Sequence, residues 1–188
     1  MASSPPQQID GRDPQACLDH ADGLRKQGGE HFARGEWAKA RAAYVRMIPW
    51  VKQWSGGGEA EQWQEQLGAE DSDRARLTPD LRERALALQV VAHRNMATCF
   101  LREREWAKAR ESTTRALELR PKDDKSLLLR AEVALRLKDV DAAEADLQAC
   151  ADQASDKWSV LDARRKKALA AHGARERALF GGMFQRGL

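Results

Sequence analysis

The chain contains three cysteines and four histidines, the side chains best suited to binding a metal ion or acting as nucleophiles. Cys17, Cys99 and Cys150 are widely spaced, with no Cys-x-x-Cys pair and no histidine at ligand spacing. This pattern is typical of a reducing compartment rather than of a metal site or a disulfide framework. Cys99 and Cys150 fall on predicted apolar helix faces, where we expect a small buried thiol. The histidines show no metal or catalytic-triad spacing either, so the sequence predicts no metal and no cofactor.

Motifs for catalysis are missing as well. No glycine-rich phosphate loop, catalytic carboxylate pair, or Ser-His-Asp or Cys-His arrangement can be assembled from the sequence. The 32 basic and 29 acidic residues give a formal charge of +3, which is too balanced to require a nucleic-acid partner. We therefore expect a protein that is not an enzyme and does not bind nucleic acid.

Two stretches carry side chains suited to contacting another protein. Trp50, Trp54 and Trp63 lie on or beside an irregular segment, where they form either a binding hot spot or the packing between long helices. The basic run 164–167 lies on a predicted final helix with apolar residues at helical spacing. Such a helix binds calmodulin or an acidic surface, or is simply solvated. For both stretches the sequence leaves the two interpretations open.

The elements that position these residues follow from an internal repeat. Glu36-Trp37-Ala38-Lys39-Ala40-Arg41 returns unchanged 69 residues later at 105–110, and a weaker copy at 139–144 starts another 34 residues on. About 34 residues is the period of the two-helix tetratricopeptide unit. Small residues recur where paired helices must approach closely. These positions are Gly28, Ala40, Ala97, Ala109, Ala116, Ala131, Ala143 and Cys150.

This period predicts an all-α fold, a right-handed superhelical stack of three tetratricopeptide helix pairs with an elongated first pair and a C-terminal capping helix. Capping signals at Asp13-Pro14 and Thr78-Pro79 predict helices over about 14–33 and 79–102, and either Ser155 or Asp156 is expected to cap the final helix. The sequence divides into three predicted segments: a flexible tail over 1–13, a repeat domain over 14–155, and a capping helix with a basic tail over 156–188. The repeats are predicted at about 21–54, 90–123 and 124–157, with an insertion at 55–78 between the first and the second.

Targeting and membrane signals are weak in this sequence. The opening residues have no apolar run, and no stretch approaches the roughly 20 apolar residues of a membrane span. We therefore expect a cytoplasmic protein without a membrane span.

The periodic residues resemble tetratricopeptide repeats, and their arrangement resembles the carboxy-terminal domain of the large peptidyl-prolyl isomerase immunophilins. The narrower resemblance covers about residues 20–186. It rests on Tyr44 followed by Trp50, the insertion before the second repeat, the stretch Asn95-Met96-Ala97-Thr98-Cys99-Phe100, and the ending Phe180-x-x-Met183-Phe184. It implies a co-chaperone-like adaptor, and no isomerase activity, because the isomerase domain of those proteins has no counterpart here.

In that family a concave groove binds the Glu-Glu-Val-Asp tails of heat-shock chaperones through a carboxylate clamp of two lysines, two asparagines and one arginine. Carried over to this sequence, the resemblance implies a partial clamp of Arg25, Asn95 and Lys125. The two remaining clamp positions fall on Gly29 and Leu129, which carry no polar side chain. Candidates for secondary contacts are Arg94, Arg130, Trp54 and Trp63.

Two functions are therefore compatible with the sequence. The first is an adaptor that takes a partner peptide or protein in the concave groove. The alternative is a structural or assembly subunit that uses its convex and insertion surfaces and binds no chaperone tail.

Overall fold

The computed structural model describes residues 13–55, 77–150 and 155–184, with side chains as far as residue 170. Every regular element in these ranges is an α-helix, which confirms the predicted all-α fold class. The predicted N-terminal tail, most of the insertion and Trp63 lie outside the described residues. In chain order the helices are α1 Pro14–Ala33, α2 Trp37–Ser55, α3 Pro79–Arg102, α4 Trp106–Leu119, α5 Asp124–Arg136, α6 Val140–Ala149 and α7 Asp156–Phe184.

Side-chain caps start several of these helices at the predicted residues. The Asp13 carboxylate accepts a hydrogen bond from a backbone amide of α1 at 3.1 Å, and the Thr78 hydroxyl does the same for α3 at 3.3 Å. Ser155 accepts from the third residue of α7, also at 3.3 Å. Each cap satisfies an amide that has no partner within its own helix. Local chemistry therefore accounts for where these helices begin.

The turns between paired helices repeat the same backbone geometry. Gly35, Arg104 and Lys138 have positive φ angles of 76°, 62° and 63°. They are separated by the same intervals as the three sequence copies. Glu36 and Asp139, which follow two of these residues, each donate an amide hydrogen bond of 2.9 Å back into the preceding helix. The sequence repeat is thus a repeat of the helix–turn–helix, with a left-handed residue closing each first helix.

The chain divides into two compact units, Met1–Glu103 and Arg104–Leu188. The division falls between α3 and α4, inside the predicted second repeat. In the N-terminal unit, α2 packs against both α1 and α3. In the C-terminal unit, α5 packs against α4, α6 and α7, and α6 also contacts α7.

Small residues occupy the tightest places in both cores, as predicted. A Cβ atom on Gly28 would lie 2.4 Å from Cε1 of the Tyr44 ring, so only glycine allows α1 and α2 to approach this closely. The other predicted small positions are at most 2% exposed and are Ala40, Ala97, Ala109, Ala116, Ala131, Ala143 and Cys150.

The turn between α1 and α2 gives the first testable prediction. Hydrogen bonds from Lys39 and His31 lower the pKa of Glu36 from 4.5 to about 2. Because the pKa is lower in the folded state, the stabilisation by Glu36 is complete above about pH 4.5 and is lost as the pH falls toward 2. We expect Glu36→Gln to be less stable than the wild type at pH 7 and to lose less stability between pH 5 and pH 2. Urea denaturation at a series of pH values checks this, and identical pH dependence of the two proteins would contradict it.

Candidate peptide-binding site

Two of the predicted clamp residues, Arg25 and Asn95, lie near Tyr44 in the N-terminal unit. Arg25 lies on α1, Asn95 lies on α3, and both act on the hydroxyl of Tyr44 from α2. The positive charge of Arg25 and the side chain of Asn95 favour the ionised form of the Tyr44 hydroxyl, but less strongly than burial opposes it. Burial and the neighbouring Cys99 raise the pKa of Tyr44, so the hydroxyl stays protonated at neutral pH. A guanidinium and an amide are both side-chain groups that can donate hydrogen bonds to a carboxylate.

Gly29 leaves this donor set incomplete. It follows Gly28 on α1 but is exposed, and among the described residues no heavy atom lies within 4 Å of the place a Cβ would occupy. The position therefore has room for a side chain but supplies no amide. The two adjacent glycines therefore differ, because helix packing requires a glycine at position 28 but not at position 29.

An acidic pair on α1 neutralises the cations of this face. Asp22 accepts a hydrogen bond from Nε of Arg25 at 2.8 Å and from Nη2 of Arg84 on α3 at 3.2 Å. The same Nη2 of Arg84 donates to Asp19 at 2.7 Å. Burial raises the pKa of Asp22, but the hydrogen bonds from Arg25 and Arg84 outweigh it and lower the pKa below its usual value. Asp22 is therefore ionised and paired at neutral pH.

The pairing through Asp22 was not predicted from the sequence. Asp22 stands three residues before Arg25, a spacing that allows contact on one helix face, and this was the available signal. Arg84 carries no repeat signature, so its role emerges only from the packing of α3 near α1.

The remaining clamp positions lie in the C-terminal unit. Lys125 is exposed in the first turn of α5, whereas Leu129 is 5% exposed and belongs to the core. Arg130 donates from Nε and Nη2 to the buried carboxylate of Asp146, at 2.9 and 2.6 Å. Its guanidinium is thus engaged within the unit rather than held ready for a ligand.

The other predicted contact residues, Trp54, Arg94 and Trp63, differ in how exposed they are or lie outside the described residues. Trp54 is 6% exposed and packs in the core of the N-terminal unit, so of its two interpretations the structure shows helix packing. Arg94 is half-buried on α3. Trp63 lies outside the described residues.

The basic run on α7 is partly committed to ion pairs. Arg165 bridges Glu144 at 3.0 Å and Asp162 at 2.9 Å, and Lys166 also contacts Asp162 at 2.7 Å. Arg164 and Lys167 are exposed. Arg165 therefore attaches α7 to α6, Lys166 pairs within α7, and Arg164, Lys166 and Lys167 all remain exposed.

The three cysteines are buried and none forms a disulfide, and the burial of Cys99 and Cys150 was predicted from their place on apolar helix faces. Burial raises the pKa of Cys99 to about 11, which keeps this thiol protonated and poorly reactive. Within the ranges that the structure describes, no helix is long and apolar enough to cross a membrane.

The described residues define an all-helical protein built on a repeated helix–turn–helix, and no protein-family model matches the chain. Its sequence is similar to the peptidyl-prolyl cis-trans isomerase FKBP4 of Mus musculus and of Homo sapiens, each 25% identical over 175 residues. These matches cover 90% of this chain and 33% of each relative. FKBP4 of Bos taurus is 26% identical over 131 residues, covering 70% of this chain and 24% of that protein. The chain thus spans about a third or less of the length of these relatives.

Proposed function

We propose that this chain is a non-enzymatic, cytoplasmic protein-binding module, a co-chaperone-like adaptor that takes the C-terminal tail of a partner protein in a groove of its helical repeats. The observation that carries the proposal is that Arg25 on α1 and Asn95 on α3 both lie near enough to Tyr44 on α2 to influence the pKa of its hydroxyl. A cation and an amide placed together match the needs of a terminal carboxylate. The similarity to FKBP4 over 90% of the chain supports an immunophilin-like role.

In this proposal Lys125, which is exposed at the start of α5, is a further candidate contact for the peptide, as the resemblance implies. Gly29 and Leu129 provide no hydrogen bond to the ligand. Each missing charge-assisted hydrogen bond weakens binding by on the order of 1.5–3 kcal/mol. A chaperone-type tail is therefore expected to bind more weakly than it would to a complete clamp.

Calorimetric titration with a peptide ending in Met-Glu-Glu-Val-Asp tests the proposal. We expect micromolar or weaker binding by the wild-type protein and no measurable binding by Lys125→Glu, because a carboxylate then faces a carboxylate. Lys122→Glu is the matched control, since Lys122 is also exposed, lies in the same unit and carries the same charge. Equal loss in both variants would indicate a general charge effect and contradict a specific role for Lys125.

The alternative function is a structural or assembly subunit that uses other surfaces. It is favoured by the pairing of Arg25 with Asp22 and by the burial of Leu129 at a clamp position. If neither the wild type nor any variant takes up the peptide, this alternative replaces the adaptor. Deletion of residues 56–76 would then be expected to disrupt association with the partner, whereas Lys125→Glu would not.

A further inference from the structure

We propose that Asp22 determines the ligand preference of the face formed by α1 and α3, because its carboxylate occupies the cations that an acidic peptide would need. The inference rests on the proposed function, in which Arg25 and Asn95 receive a peptide carboxylate. It adds that this face selects against acidic side chains near the peptide terminus and favours a lone terminal carboxylate with uncharged neighbours.

The geometry of the Asp22 carboxylate supports this role. One oxygen, Oδ1, accepts from Nε of Arg25, and the other, Oδ2, accepts from Nη2 of Arg84. Both oxygens are thus used on cations from two different helices. Asp22 stands where an external carboxylate would bind, so an incoming ligand must displace it or share Arg25 with it.

Both partners are accessible enough for such competition. The side chain of Arg25 is 40% exposed and that of Asp22 is 30% exposed. A ligand carboxylate at Arg25 would lie beside the ionised Asp22, and like charges a few ångströms apart repel each other. Each further acidic side chain of the ligand adds to this repulsion. A peptide with a single carboxylate is repelled by Asp22 only through that one group.

Asp19 extends the same network without touching Arg25. It accepts from Arg84 at 2.7 Å and from the Gln15 amide at 3.0 Å. Its removal would take away one negative charge from the same helix face while leaving the contact of Asp22 with Arg25 intact. Asp19 therefore offers a control of matched charge and similar position.

The experiment compares two peptides, one ending in Met-Glu-Glu-Val-Asp and one ending in Met-Gln-Gln-Val-Asn, by calorimetric titration. Asp22→Asn preserves the shape of the side chain while removing its charge. The quantity compared is the ratio of the two dissociation constants, that of the neutral peptide divided by that of the acidic peptide. We expect this ratio to be about tenfold higher for Asp22→Asn than for the wild type. Asp19→Asn should change this ratio by less than about threefold. Adding Arg25→Met to Asp22→Asn should abolish the gain, because the freed guanidinium is then gone.

The outcomes separate the two levels of the proposal. Binding of a peptide by the wild type with an unchanged affinity ratio in Asp22→Asn would overturn the role of Asp22 and leave the adaptor function standing. A gain of equal size in Asp19→Asn would also overturn it, because the effect would then be one of overall charge. No binding of either peptide to the wild type or to Asp22→Asn would overturn both proposals.

Discussion

Gly28→Ala is expected to destabilise the N-terminal unit by about 2–3 kcal/mol, although alanine is the better helix former by about 1 kcal/mol. The added Cβ would lie 2.4, 2.8 and 2.9 Å from three atoms of the Tyr44 ring. This ring is only 3% exposed and packs in the core of the N-terminal unit, so it has little room to move. The overlap must be relieved by separating α1 from α2, which loses contacts along the whole pair.

Gly29→Ala provides the matched control for this prediction. Among the described residues nothing lies within 4 Å of its added Cβ, so the change is expected to stabilise the protein by up to about 1 kcal/mol through helix propensity alone. Urea denaturation followed by circular dichroism measures both variants. If the two substitutions change the free energy of unfolding in the same direction and by similar amounts, Gly28 is not required for the close approach of α1 and α2, and the prediction is wrong.

Arg130→Met is expected to destabilise the C-terminal unit by about 2–4 kcal/mol. It leaves the carboxylate of Asp146, which is 4% exposed, without the guanidinium that donates three hydrogen bonds to it. A buried charge that loses its partner retains the cost of its desolvation. Arg130 itself is partly exposed, so water can reach the vacated position and the loss stays below that of a fully enclosed pair.

Arg115→Met is the control for this second prediction, because Arg115 pairs with Glu111 at the same N–O distance of 2.6 Å but both side chains are more than half exposed. We expect a cost below about 0.5 kcal/mol there. Adding Asp146→Leu to Arg130→Met should recover much of the lost stability, since two apolar side chains then replace a broken pair. Equal effects of Arg130→Met and Arg115→Met on urea denaturation would show that burial of Asp146 contributes nothing.

The sequence alone determined the helices and their closest contacts. Caps at Asp13, Thr78 and Ser155 and the recurrence of small residues such as Gly28 and Ala40 predicted features that the structure confirms. These features are set by hydrogen bonds and steric limits that act within a few residues or within one repeat. They therefore leave a periodic trace that can be read without coordinates.

Only the tertiary structure decided what the charged and aromatic side chains contact. Trp54 turned out to be a core residue, Arg130 was paired with Asp146 sixteen positions away, and Asp22 linked Arg25 to a helix some sixty residues further along the chain. A charge on a helix is compatible with many partners, and propensity does not distinguish among them. The choice depends on how α1 and α3, or α5 and α6, come together, and this is why the resemblance could place Arg25 in a binding site but could not foresee the carboxylate that neutralises it.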